Sequence, residues 1–146
     1  MVVGLIESLF WLTLNVYHEA RGEPEIGQLA VAHVTLNRAR DEKKSVAEVV
    51  KEPRQFSWTF QKKAYVPLDP NPLQESLRVA VKAMSTPDFT GGSTFYHRAD
   101  IDPKWAATKI FTAQYGAHKF YRNDEGTLSM LSVQPSYITL HPLAYQ

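Results

Sequence analysis

The chain predicts an α+β fold, a mainly helical domain carrying a small antiparallel β-sheet or hairpin. Apolar residues recur at helical spacing through the first half, as in Leu5, Leu9, Leu12 and Val16. Ser45 followed by Glu48 has the form of a capping box, a local helix-start signal. Two short aromatic runs, Ser93–His97 and Ala117–Tyr121, resemble each other and read as strands that pair across the loop between them.

The first helix is expected over Gly4 to Ala20, and Gly22 offers a turn because glycine tolerates left-handed geometry. Pro24 suits the start of a second helix, Glu25 to Arg40. That helix is apolar around much of its circumference through Ile26, Leu29, Ala30, Val34 and Leu36, which places it at the centre of the domain. Within it His33 and Asn37 need partners, either as hydrogen-bonding core residues or as support for a neighbouring site. The capping box starts a short helix with Val46, Val49 and Val50 that Pro53 ends. Arg54–Phe60 alternates too imperfectly for a strand and reads as a loop that packs aromatics while presenting amide and hydroxyl groups. Pro72 fits the first turn of a further helix, with Leu73, Leu77, Ala80 and Met84 inward and Glu75, Arg78 and Lys82 in water.

Composition excludes several function classes. With 146 residues and 44% hydrophobic content the chain can bury a core without disulfides or a structural metal. Zero cysteines removes thiolate nucleophiles and CxxC metal sites. Sixteen basic against fifteen acidic side chains, net +1, makes no case for a nucleic-acid partner. The apolar N-terminus has no basic residue before Arg21 and is interrupted by Glu7 and Asn15, so neither a signal peptide nor a membrane span is expected.

Glu19 carries the functional expectation. It falls on the apolar stripe of the first helix, where partial burial disfavours the charged form and lets a carboxylic acid keep its proton near neutral pH. The same position also reads as a plain helix end, with Glu19 paired to Arg21 or fraying into water before Gly22.

Taken in order, Glu19-Ala20-Arg21-Gly22-Glu23-Pro24 with Gly27-Gln28, Leu36-Asn37-Arg38, Gln55-Phe56-Ser57, Tyr96-His97, Pro103-Lys104-Trp105 and Gly116–Tyr121 resemble the spore cortex-lytic cell-wall hydrolase family. The resemblance implies a lysozyme-like, lytic-transglycosylase catalytic domain that cleaves peptidoglycan glycan strands between N-acetylmuramic acid and N-acetylglucosamine. It implies Glu19 as catalytic proton donor and Glu23 as a supporting carboxylate at the start of the second helix. A polysaccharide groove needs hydrogen-bonding groups and aromatic faces, and Gln28, Gln55, Ser57, Tyr96 and His97 are the candidates for its substrate-binding lining. Each of them also reads as a structural residue. Asn37 and His118 are candidates for supporting roles.

A lysozyme-type hydrolase uses a second carboxylate as nucleophile or base, and Asp41, Asp69, Asp88, Asp100 and Asp102 are available without spacing that singles one out. A transglycosylase needs no second one, because the muramoyl C6 hydroxyl attacks and the same glutamate returns as base. The resemblance makes transglycosylation the leading expectation, with muramidase-type hydrolysis the runner-up. Two other classes compete. His18-Glu19 looks like the start of the zinc motif HExxH, but Gly22 stands where the second histidine belongs. The other is a non-catalytic cell-wall binding module. No cofactor and no metal are expected. The remaining expectations are a monomer with peptidoglycan as partner, a catalytic domain over 1–122, and a C-terminal extension over 123–146 that packs on the domain or stays mobile. The expected setting is that of a phage-type endolysin, made in the cytoplasm and released by a separate membrane protein, with a bacterial wall enzyme as alternative.

Overall fold

Helix α1 spans Val2–Ala20 in the computed structural model, which describes residues 2–52 and 69–124. Its last turns are enclosed on all sides: every residue from Leu12 to Tyr17 is buried. The expected stripe holds at Leu12 and Val16, but it fails at Leu5, which is 59% exposed beside exposed Ile6 and Phe10. Among the described residues, the C-terminal half of α1 packs into the core, whereas its start lies at the rim beside α4. Enclosure places polar residues in the core, and they are satisfied there. Asn15 donates to the Thr35 hydroxyl at 2.8 Å, and Thr13 donates back to the Leu9 carbonyl at 2.7 Å.

Gly22 makes the turn at φ +88°, and α2 then runs over Glu25–Glu42, two residues longer than expected. It is buried continuously from Gly27 to Thr35, as its all-round apolar character requires. Helix α3 (Val46–Lys51) starts on the expected capping box: Glu48 N–H donates to the Ser45 hydroxyl at 3.0 Å and Ser45 N–H to the Glu48 carboxylate at 2.8 Å. Its Val46, Val49 and Val50 are buried.

Helix α4 (Pro70–Met84) begins earlier than Pro72, capped by Asp69. Its buried face is Ser76, Val79, Ala80 and Ala83, while Leu77 is 43% exposed. The expected stripe through Leu73 and Leu77 is thus rotated. α4 packs against both α1 and α2, and small side chains let three backbones approach one another. Leu73 and Leu77 are left at the rim, where with Ile6, Leu9 and Phe10 they line an apolar cleft of about 270 Å³ at the far end of α1 from Glu19. Glu25 ties the start of α2 to α4 through Arg78 at 2.9 Å and Lys82 at 2.7 Å.

The two expected strands exist and pair, as β1 (Phe95–Arg98) and β3 (His118–Arg122), with Tyr96 opposite Phe120. A third strand, β2 (Ile110–Tyr115), was not expected. It pairs with β3 in an antiparallel order β1-β3-β2, and a bulge between Phe111 and Ala113 breaks the alternation that would have marked it. A two-residue turn, Gly116-Ala117, joins β2 to β3 with Gly116 at φ +59°, the geometry of a type II′ hairpin. One sheet face sends Tyr96 and Phe120 into the helical core. The other carries Phe95, His97, Phe111 and Tyr121, covered by Trp105 of a 3-10 helix (Lys104–Thr108). Among the described residues no helix is long and apolar enough to cross a membrane.

Candidate active site

Glu19 lies in the last turn of α1, half-buried where that helix meets the helix-facing side of the sheet. The Tyr96 hydroxyl donates to Glu19 Oε1 at 2.8 Å. Burial pushes the carboxyl up from 4.5 to about 7, against the Tyr96 hydrogen bond, which pulls it down. Glu19 is thus neither frayed nor paired with Arg21. The Arg21 guanidinium lies over the Tyr17 ring at 4.5 Å and donates to the Tyr17 carbonyl at 3.4 Å. The arrangement holds a neutral carboxylic acid in reach of solvent at near-neutral pH, which is what proton donation requires.

Glu23, just beyond the turn, reaches the tip of the β2–β3 hairpin. Its Oε1 accepts the Ala117 N–H at 2.8 Å and lies 3.9 Å from Nδ1 of buried His118. A Cβ on Gly116 would overlap that same carboxylate oxygen, so the close approach depends on glycine. The His118 ring meets Tyr96 edge-on, centroids 5.3 Å apart. Burial lowers the His118 pKa, opposed by the nearby Glu23 charge. Of the expected residues, Tyr96 meets Glu19 directly, while His118 reaches it only through Tyr96 and Glu23 only through His118.

Others go elsewhere. Gln28 is buried at 4% exposure and donates to the Glu23 carbonyl at 2.8 Å, so it braces the α1–α2 turn instead of lining an open groove. His97 is on the opposite sheet face from Tyr96, because successive strand residues alternate sides. There it is 2% exposed, stacked on Tyr121 at 5.2 Å and bonded to the Tyr121 hydroxyl at 2.8 Å through Nε2. It does not line a site with Glu19. Asn37 donates to the Ser93 carbonyl at 2.9 Å and the Thr90 hydroxyl at 3.3 Å, joining α2 to the segment that leads into β1. Gln55 and Ser57 lie outside the described residues, as does most of the expected extension, residues 125–146.

Four of the five aspartates considered above have structural tasks. Asp88 accepts from Thr90 N–H at 2.9 Å, the Thr90 hydroxyl at 2.6 Å and Gly92 N–H at 2.7 Å, a knot readable in Asp-x-Thr-Gly-Gly but not singled out from the sequence. It lies 4.0 Å from Nδ1 of buried His33, whose ring meets Phe89 edge-on. Asp69 caps α4, Asp41 pairs with Arg40 at 3.0 Å, and Asp100 pairs with Arg98. Asp102 is exposed in a shallow cleft beside Lys104 and Tyr121, on the sheet face away from Glu19. No group of three or more His, Cys, Asp or Glu among the described residues could hold a metal ion. What the sequence did not signal was the Tyr96–Glu19 bond itself, which joins residues 77 positions apart.

The model of the cell wall hydrolase family matches residues 22–121, starting just after Glu19. The chain is 35% identical over 108 residues to a spore cortex-lytic enzyme of Bacillus cereus, covering 72% of this chain and 40% of the relative. It is 33% identical over 108 residues to a spore cortex-lytic enzyme of Halalkalibacterium halodurans, covering 72% of this chain and 32% of the relative. It thus spans less than half the length of these relatives. Among solved structures it matches the catalytic domain of the germination-specific lytic transglycosylase SleB from Bacillus anthracis, with a TM-score of 0.68 and 31% identity over 79% of this chain and 93% of that one. The catalytic domain of Bacillus cereus SleB gives a TM-score of 0.66 and 31% identity over 80% of this chain and 91% of that one. The helices and the three-stranded sheet described above are the fold of those domains.

Proposed function

Because the chain belongs to the cell wall hydrolase family, we propose that it is an enzyme cleaving peptidoglycan glycan strands between N-acetylmuramic acid and N-acetylglucosamine, by lytic transglycosylation with Glu19 as acid and then base. One observation carries the reading: Glu19 holds its proton up to about pH 7 while the Tyr96 hydroxyl fixes its carboxyl in place. In the first half-reaction the Glu19 proton passes to the glycosidic oxygen as the muramoyl C1–O bond breaks. The N-acetylglucosamine 4-hydroxyl leaves and positive charge develops on the muramoyl ring. In the second half, the Glu19 carboxylate takes the proton of the muramoyl C6 hydroxyl as O6 bonds to C1. The product is a 1,6-anhydro end, no water is consumed, and Glu19 is protonated again.

Hydrolysis of the same bond by a muramidase route is the second reading, and it needs a further carboxylate near the reacting carbon. The engagement of Asp41, Asp69, Asp88 and Asp100 in caps, knots and ion pairs, and of Glu23 at the hairpin, supports the route that needs none. A wall-binding module without catalysis would have no use for a carboxyl held protonated beside a tyrosine. Mass analysis of digested, purified peptidoglycan is the test. Anhydro-muramoyl ends are expected; reducing muramic acid ends point to hydrolysis, and intact glycan sinks the proposal. Glu19→Gln should bind glycan and fail to cut it. The bacteriolytic endolysin setting, with release by a separate membrane protein, is part of the same proposal. Clearing of a permeabilised cell suspension by the added protein tests the lytic half of it.

A further inference from the structure

We propose that Glu23 and His118 form a positioning pair that sets how the Tyr96 hydroxyl meets Glu19. The inference rests on the role proposed for Glu19 and deepens it. Three contacts run in series from one carboxylate to the other, and a fourth anchors the first of them. Glu23 Oε1 accepts the Ala117 N–H at 2.8 Å, which fixes the hairpin tip. The same oxygen faces His118 Nδ1 across 3.9 Å, and that nitrogen is buried without a hydrogen-bond partner among the described residues. The His118 ring stands edge-on to Tyr96 at 5.3 Å, and Tyr96 donates to Glu19 at 2.8 Å.

Each link constrains the next. Tyr96 is 2% exposed between His118 and Phe120, so its ring goes where those two rings leave room. Phe120 is wholly buried in the core and cannot follow a moving hairpin. His118 directly follows the Gly116-Ala117 turn and moves with it. A displacement of about 1 Å at the hydroxyl ends a hydrogen bond of this length. Displacements on that scale cost about 100-fold in rate when they reach the reacting groups. The glycine at 116, against which the Glu23 carboxylate packs, and Gly27, whose added Cβ would lie 3.4 Å from the Tyr115 carbonyl oxygen, bring turn and hairpin close enough for the series to connect. Glu23, Arg98, His97 and Asp100 are the charged and titratable groups acting on His118, and Glu23 is the one of them seated on the helical side.

The experiment uses the full chain with Glu23→Ala, Glu23→Gln, Tyr96→Phe and the Glu23→Ala/Tyr96→Phe pair. It reads kcat and KM on glycan strands and the alkaline limb of kcat/KM. Because the Tyr96 hydrogen bond pulls the Glu19 carboxyl down, losing it moves that limb upward. Glu23→Ala should lower kcat by about 10- to 100-fold with KM changed less than about twofold, and should move the limb upward as Tyr96→Phe does. The pair should move it no further than Tyr96→Phe alone. Glu23→Gln keeps an acceptor for Ala117 N–H and should recover most of the lost kcat. Additive limb shifts, an effect confined to KM, or Glu23→Gln as poor as Glu23→Ala would each overturn the proposal. Should Glu23→Ala not fold, His118→Asn decides by the limb alone: upward movement upholds the pair and an unmoved limb sinks it. Cleavage retained by Glu19→Gln instead defeats the reading of Glu19, whatever Glu23 does.

Discussion

Glu19→Gln should stabilise the protein, and by an amount that depends on pH in a calculable way. The native carboxyl titrates near 7 while the unfolded one titrates near 4.5. Between those values the native state holds a proton that the unfolded state has lost, so stability falls as pH rises through the interval and the loss is complete above it. At about 1.4 kcal/mol per pH unit, the interval amounts to about 3 kcal/mol, and about 2 kcal/mol of that has accrued by pH 6. Glutamine bears none of this cost, and its carbonyl can accept from Tyr96 as the acid does. Urea unfolding of both proteins at pH 4, 6 and 8 measures the difference directly. The advantage of Glu19→Gln should be small at pH 4 and grow by about 3 kcal/mol by pH 8, with an inactive variant throughout. An advantage that stayed flat across that range would refute the argument, because the carboxyl would then titrate alike in both states. The exchange of stability for a poised acid would be absent with it.

Other outcomes follow from the same geometry. Gly116→Ala places a Cβ against the Glu23 carboxylate at φ +59° and should cost about 1–3 kcal/mol in chemical denaturation, with cleavage falling more steeply than the folded fraction. His97→Gln should lower the thermal midpoint by disturbing the stack with Tyr121, yet leave turnover per folded molecule intact, since it lies behind the sheet; a loss of turnover matching Tyr96→Phe would restore His97 to the site. Asp88→Ala frees two N–H donors and a hydroxyl and should cost about 2 kcal/mol at neutral pH. Burial pushes the Asp88 carboxyl up and its hydrogen bonds pull it further down, leaving it below 3.8. Its contribution is therefore present above pH 3.8 and lost as pH falls through the lower native value, so wild type and Asp88→Ala should converge in strong acid.

Helices α2 and α3 were legible because their signals are local: a proline before Glu25, an all-round apolar run, and Ser45 three residues before Glu48. The α4 stripe held at Ala80 and Met84 but was misread at Leu77, because spacing cannot say that Val79 and Ala83 are buried in its place. β2 escaped because its bulge breaks the two-residue period. In the site, Glu19 stood out as an acid on an apolar stripe. Tyr96 and His97 looked equivalent as neighbours in one motif, and only the pleat separates them, sending one to the carboxyl and the other to Trp105. Glu23 was singled out as a carboxylate at the start of α2, but its hydrogen-bond partner Ala117 is 94 residues away and carries no side-chain signal at all.

Those separations govern the order in which the molecule comes apart. The Tyr96–Glu19 and Glu23–Ala117 bonds close loops of 77 and 94 residues, whereas the hydrogen bonds of α2 and α3 close loops of a single turn. Long loops are the costly contacts to form in folding and, where they hold only a hairpin against a turn, the cheap ones to release. The hairpin tip therefore lets go of the α1–α2 turn before the helical core, which holds Tyr96 and Phe120, comes apart. In a denaturant series, cleavage should vanish at concentrations where the far-UV helical signal is still whole, leaving an intermediate that is folded by spectroscopy and dead by assay.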